Sequence, residues 1–249
     1  MVKILISGIL GHMGRNVLEL CKADAECECV GGVDLKAGEL CGVPVYDGFA
    51  DAPDADAVID FSSAANLKNV LGYAQRANCA AVLCATGYSE EDLALIEQSA
   101  KKIPVFKTAN LSVGINLLQK LVKEAAAFLG DHFDIEIIEK HHNLKKDAPS
   151  GTAYMLAESA NEAFGGEKRF VYGREGIVGA RDKKEIGIHA VRGGNIVGEH
   201  EVMFAGEDEI VTISHSARSK KVFAAGAIKA AKFMKGKPAG KYDMHDVIG

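Results

Sequence analysis

Residues 139–153 read EKHHNLKKDAPSGTA, a run rich in groups that move protons and hold anions. His141 and His142 carry imidazole, the side chain whose ordinary pKa lies nearest neutrality. They are adjacent at the end of a strand-like run, so their side chains point to opposite sides. One can face a cleft while the other serves a different part of the site. Lys145 and Lys146 add positive charge, and Asp147 can orient a lysine or the loop. Ser150, Gly151 and Thr152 stand at a helix start, where backbone N–H groups and hydroxyls can hold a carboxylate. Cation, imidazole and anion cradle together suit a small carboxylic acid undergoing proton transfer. Singly, each has a plain structural explanation: surface histidines, or an ordinary helix cap. Adjacent histidines beside lysines are poor metal-ligand geometry, and the cysteines show no zinc spacing, so no metal is expected.

A second cluster opens the chain. Gly8, Gly11 and Gly14 punctuate GILGHMG, between a strand-like run and a helical pattern. Glycine lets backbone turn tightly and approach a pyrophosphate, and a helix N-terminus offers free N–H groups and partial positive charge. Arg15 can add a cation. Asp34 ends the next strand-like run, where a carboxylate can accept hydrogen bonds from an adenosine ribose. Leu35 follows, where an arginine would favour a 2′-phosphate. NADH is therefore the expected preference, with Lys36 permitting some use of NADPH. The competing explanation is a tight turn that binds nothing.

Both clusters need elements to position them. Residues 3–7, 28–34, 57–61, 80–85 and 104–107 read as strands. Helical patterns over 11–21, up to about 77, and over 90–101 lie between them. Short apolar strands alternating with helices predict a doubly wound parallel sheet, the Rossmann arrangement. After a helix over 113–129 the pattern changes. Residues 133–139 alternate at period two, and a helix follows over 151–164. Runs 185–192, 196–204 and 209–216 then come without helices between them, separated by turn-like Gly193-Gly194-Asn195 and Gly206-Glu207-Asp208. These predict a hairpin-linked antiparallel meander. A final helix over 222–234 is Ala-rich. The expected class is α/β: a Rossmann domain over 1–112 and 218–249, and a smaller α+β domain over 113–217 with a mixed, mostly antiparallel open sheet. The first is expected to bind the dinucleotide. The second is expected to bind substrate and mediate oligomerisation.

Composition excludes several classes. The chain has 249 residues, 48% hydrophobic and 25% charged, as a globular protein does. A formal net charge of -5 argues against a nucleic-acid partner. No apolar run is long enough to span a bilayer, the start reads as a strand rather than a signal peptide, and no membrane partner is expected. Six cysteines without a CxxC pair are expected to be reduced thiols of a cytoplasmic protein.

The string E-x-HHxxKxDAPSGTA resembles the signature of the dihydrodipicolinate (4-hydroxy-tetrahydrodipicolinate) reductase family. The likeness runs along the whole chain: GILGHMG, DFS at 60–62, ATG at 85–87, NLSVGIN at 110–116, GREG at 173–176, RGGNIVGEHEVMFAG from Arg192, and HSARS from His215. The resemblance implies that Gly8, Ile9, Leu10, Gly11, His12 and Met13 bind the pyrophosphate and Asp34 the ribose. Cys84, Ala85 and Thr86, with Thr108, Ala109, Asn110 and Leu111, would line the nicotinamide side, Thr86 also touching substrate. His141 is implied as proton donor/acceptor and Lys145 as proton donor. His142, Ser150, Gly151 and Thr152 are implied as substrate contacts. Cys84 stands where the family often has glycine, Leu35 where it often has arginine, and Leu10 where an extra glycine is frequent.

The implied activity is reduction of a cyclic dicarboxylate, after loss of water, in lysine biosynthesis through diaminopimelate, by a homotetramer. Hydride transfer needs near-attack contact of about 3–3.5 Å, so closure about hinges near residues 110 and 218 is expected. Two other readings use the same glycine loop: another two-domain NAD(P)-dependent dehydrogenase, and a non-catalytic dinucleotide-binding redox sensor. The sensor would not need His141, His142 and Lys145 beside an anion cradle.

Overall fold

Short apolar runs close into strands because only pairing satisfies their backbone once both faces are covered. The computed structural model describes residues 1–249. In chain order the elements are β1 (Val2–Ser7), α1 (His12–Ala23), β2 (Cys27–Val33), β3 (Gly38–Leu40), β4 (Val43–Tyr46), β5 (Ala57–Asp60), α2 (Leu67–Arg76), β6 (Ala80–Leu83), α3 (Glu90–Ala100) and β7 (Pro104–Lys107). There follow α4 (Val113–Leu129), β8 (Asp134–His141), α5 (Gly151–Glu162), β9 (Arg169–Tyr172), β10 (Glu185–Arg192), β11 (Gly198–Ala205), β12 (Ile210–Ala217), α6 (Lys221–Met234), β13 (Gly240–Tyr242) and α7 (Met244–Ile248). No helix is long and apolar enough to cross a membrane. The chain divides into two units, Met1–Val113 with Lys220–Gly249, and Gly114–Ser219.

The first unit holds an eight-stranded sheet in the order β13-β7-β6-β5-β1-β2-β4-β3. Every pairing is parallel except β3 with β4. From β1 the chain steps outward through β2 to β4, then returns to β5 on the other flank and steps outward again. This reversal leaves a crevice at the carboxyl ends of β1 and β5, where doubly wound sheets bind ligands. One face packs Ile4, Ile6, Ile59 and Val82 against Ala224, Ala227, Ala231 and Met234 of α6. All eight are fully buried, and burying a large apolar side chain contributes about 1.5–3 kcal/mol. The small residues let α6 approach closely; a Cβ at Gly226 would lie 1.8 Å from the Leu111 carbonyl oxygen. On the other face Leu5, Val58, Leu71 and Ile96 form a second core.

The second unit holds a five-stranded sheet in the order β12-β11-β8-β10-β9. The sheet is mixed, as expected, but the meander is not formed. β10 pairs with β8 and β9 in parallel, while β11 pairs with β8 and β12 antiparallel. β8 therefore lies between β10 and β11, and Gly193-Gly194-Asn195 begins a crossing over β8 rather than a hairpin. Only β11 and β12 form one. Alternation at period two reports which face a residue occupies and says nothing about its neighbour strand. β3, β4, β9 and β13 are four residues or fewer, too short to register as periodic.

Candidate active site

On β8, Ile135, Ile137, Glu139 and His141 share one face because alternate residues of a strand do. Register carries this face across the sheet. Ile137 stands opposite Ile188 on one side and Val202 on the other, and Val202 stands opposite Ile213. The next row is Ala190, Glu139, His200 and His215. Beyond it, His141 stands opposite Arg192. The surface that buries Ile135, Ile137, Val202 and Phe204 against Leu156 and Ala160 of α5 thus becomes ionisable at the carboxyl end of β8.

Glu139 is fully buried, and the protein satisfies its carboxylate. Arg192 donates from Nη1 to Oε2 and from Nη2 to Oε1, both at 2.7 Å. The Ser150 N–H donates to Oε1 at 2.9 Å, and His141 Nδ1 lies 2.6 Å from Oε2. Burial alone would raise the carboxyl pKa. Arg192, His141 and the Ser150 N–H together outweigh it and hold Glu139 below the usual carboxylate range. Arg192 Nη2 also donates to the Asp147 carbonyl at 2.7 Å, tying down the loop that carries Lys145. The Lys145 ammonium lies 2.9 Å from the Asp147 carboxylate. His142 is half-buried beside this loop, and its carbonyl accepts the Lys145 N–H at 3.2 Å.

Ser150 is the N-cap of α5; its Oγ accepts from the Ala153 N–H at 3.2 Å. His200 Nε2 lies 3.0 Å from the same oxygen, within hydrogen-bond distance. Burial, helped by the charge of His141, pulls the His200 pKa down to about 4, so His200 is neutral at pH 7. The rings of His141 and His200 meet edge to face, centroids 5.2 Å apart. Gly151 and Thr152 open α5, at the positive end of its dipole. His141, the Lys145 loop and Ser150 at the start of α5 therefore belong to one hydrogen-bonded assembly.

The first unit places its expected residues at the carboxyl edge of the parallel sheet. Gly8 follows β1, Asp34 follows β2, Cys84 to Thr86 follow β6, and Thr108 to Leu111 follow β7. Gly8 has φ +77°, and a Cβ there would lie 2.9 Å from the Phe61 carbonyl oxygen. A Cβ at Gly14 would lie 2.1 Å from the Gly8 carbonyl oxygen. The N-cap of α1 is Gly11, and no side chain caps the helix, which leaves its first N–H groups to an anion. Asp34 accepts from the Leu10 N–H and the Leu35 N–H, each at 2.8 Å. It thus fixes the loop and retains further lone pairs. Gly8, Gly11, Asp34, Leu35, Phe61 and Ser62 help line a cavity of about 960 Å³. These residues fit a nicotinamide dinucleotide. Arg15 donates from Nε to the Leu10 carbonyl at 2.9 Å, bracing the loop. Leu35 is 93% exposed and offers no charge beside Asp34. Burial keeps the Cys84 thiol protonated. Thr108 Oγ1 donates to the Asn110 carbonyl at 3.2 Å, shaping the turn that ends in Leu111.

Sequence reasoning did not single out Arg192 or His200, and gave Glu139 no role. A usable signal existed: Glu139 falls on the parity of Ile135 and Ile137, so the alternation aims a carboxylate at the core.

Residues 2–111 match the family model for the dihydrodipicolinate reductase N-terminus, and residues 114–248 that for its C-terminus. A 4-hydroxy-tetrahydrodipicolinate reductase of Caldanaerobacter subterraneus is 49% identical over 249 residues, covering 100% of this chain and 98% of the relative. Its counterpart from Clostridium tetani is 46% identical over 245 residues, covering 98% and 96%. Among solved structures, a dipicolinate-bound dihydrodipicolinate reductase from Paenisporosarcina sp. TG-14 superposes with a TM-score of 0.81 at 24% identity. It covers 98% of this chain and 97% of that one, a likeness of fold. Matched in both halves and along its full length, the chain belongs to the dihydrodipicolinate reductase family.

Proposed function

We propose that the protein is an NADH-preferring 4-hydroxy-tetrahydrodipicolinate reductase acting in lysine biosynthesis through diaminopimelate, as a cytoplasmic homotetramer. One observation carries the catalytic reading: His141, the Lys145 loop and the α5 N-terminus are joined through Glu139 and Arg192. Family membership supports the substrate, the oligomeric state and the compartment. The exposed leucine beside Asp34 supports the cofactor preference.

The net reaction consumes NAD(P)H and a proton, releases water and yields tetrahydrodipicolinate. Gly8, Ile9, Leu10, Gly11, His12 and Met13 would hold the cofactor pyrophosphate and Asp34 its ribose. Cys84 to Thr86 and Thr108 to Leu111 would flank the nicotinamide. When bound, the cofactor supplies the hydride that reaches C4 of the substrate ring. The chain's own residues do the rest. His142, Ser150, Gly151 and Thr152 hold the doubly negative substrate, the helix dipole favouring a carboxylate at its N-terminus. Lys145 meets the electron density that builds on the ring and donates a proton, and His141 shares that proton transfer.

The test is a coupled NADH-oxidation assay with substrate formed in situ from pyruvate and aspartate semialdehyde. Substrate-dependent oxidation is expected. Cofactor binding without turnover refutes the activity. A strong kcat/KM advantage for NADPH refutes the reading of Asp34 and Leu35.

A further inference from the structure

We infer that Glu139 is a positioning residue: its buried carboxylate holds His141 in the Nδ1–H tautomer and leaves Nε2 as the only ring nitrogen able to exchange a proton. The inference rests on the proton-transfer role proposed above for His141. A carboxylate only accepts hydrogen bonds, so the nitrogen facing it must carry the proton whether the ring is neutral or charged. At 2.6 Å the His141–Glu139 contact is short, as hydrogen bonds to ionised groups are. The carboxylate cannot swing away, because Arg192 grips both oxygens and the Ser150 N–H takes a second lone pair of Oε1.

A Cβ at Gly198 would lie 3.1 Å from His141 Nε2, so any side chain at that position would crowd this nitrogen. The groups around the dyad come from every neighbouring element: Arg192 from β10, His200 from β11, His215 beside it on β12, Lys145 and Asp147 from the loop, and Ser150 from α5. His200 is neutral at pH 7 and Lys145 is paired with Asp147. Glu139 is therefore the anion in direct contact with the His141 ring, and it favours the imidazolium that proton transfer creates. Arg192 lets the anion stay ionised while buried and links it to the loop bearing Lys145.

Steady-state kinetics of E139Q, H141A and the double variant test this. A glutamine amide keeps the shape but can donate to Nδ1, which drives the ring toward the Nε2–H tautomer. E139Q is expected to lower kcat by about 10²-fold, in the range of a well-placed general acid, with KM nearly unchanged. In the H141A background, E139Q should cost less than about 2-fold, because residues acting as a unit are not additive. An equal loss in both backgrounds assigns Glu139 a structural role and overturns the inference. If H141A turns over normally, the role of His141 fails and the inference with it. If H141A is impaired and a folded E139Q is not, the inference alone fails. Nitrogen-15 spectra of histidine-labelled native protein read the tautomer without any variant. Nδ1–H at His141 is expected, and Nε2–H overturns the proposal.

Discussion

Glu136 anchors the loop between β9 and β10, and neutralising it gives a loss with a definite pH signature. Arg174 grips its carboxylate at 3.0 and 2.8 Å, Arg181 Nε donates at 2.9 Å, and His189 Nε2 lies 2.7 Å away. Burial opposes ionisation, but Arg174, His189 and Arg181 together pull the pKa from 4.5 down to about 2. The side chain is 13% exposed, so solvent screens the cluster weakly. At about 1.4 kcal/mol per pKa unit, this shift contributes roughly 3 kcal/mol at pH 7. The folded pKa is depressed, so the contribution is complete above the unfolded value and fades as pH falls through about 2. By pH 3 it should be near 1.4 kcal/mol. Glu136→Gln should therefore lower unfolding free energy by roughly 3 kcal/mol at neutral pH and by about half that at pH 3. Urea denaturation of both proteins at the two pH values, followed by fluorescence and circular dichroism, measures the difference. A loss below about 1 kcal/mol at pH 7, or the same loss at both pH values, would refute the electrostatic argument.

Four further outcomes are expected. Lys145→Ala should lower kcat by about 10²–10⁴-fold, whereas Thr152→Ala should chiefly raise KM, since it removes binding shared by ground and transition states; initial-rate kinetics separates the two. Gly14→Ala should abolish tight NADH binding in calorimetry, because its methyl group would lie 2.1 Å from the Gly8 carbonyl oxygen; retained affinity would show that the loop can open. His200 has a folded pKa lowered from 6.5 to about 4, so the unfolded chain binds the extra proton between those values. Native stability should fall as pH drops through that window, by up to roughly 3 kcal/mol in all, and His200→Asn should flatten the slope of unfolding free energy against pH.

The sequence disclosed the elements whose signal is local. The apolar pattern over 113–129 coincides with α4, and the run over 185–192 with β10. The glycine loop and the HHNLKKDAPSGT run were legible because their spacing belongs to one turn and one strand–loop–helix. Pairing was not legible, since the placement of β8 between β10 and β11 is decided by the assembled sheet. The support of His141 escaped for the same reason. Glu139 and Arg192 are far apart in the chain and meet only because β10 docks beside β8 in that register. His200 reaches Ser150 Oγ through the other neighbour of β8, β11, which no local pattern announces.

The dinucleotide unit is assembled from both ends of the polypeptide, with the second unit inserted as one uninterrupted stretch. During synthesis the inserted stretch is complete while the larger sheet still lacks β13 at its edge and the α6 helix that covers one face. Ile4, Ile6 and Ile59 must wait for alanines more than 160 residues downstream before that side of the core is shut. A chain released after Ser219 would hold every strand of the second unit and an unsealed cofactor fold, exposing apolar surface of the kind chaperones protect.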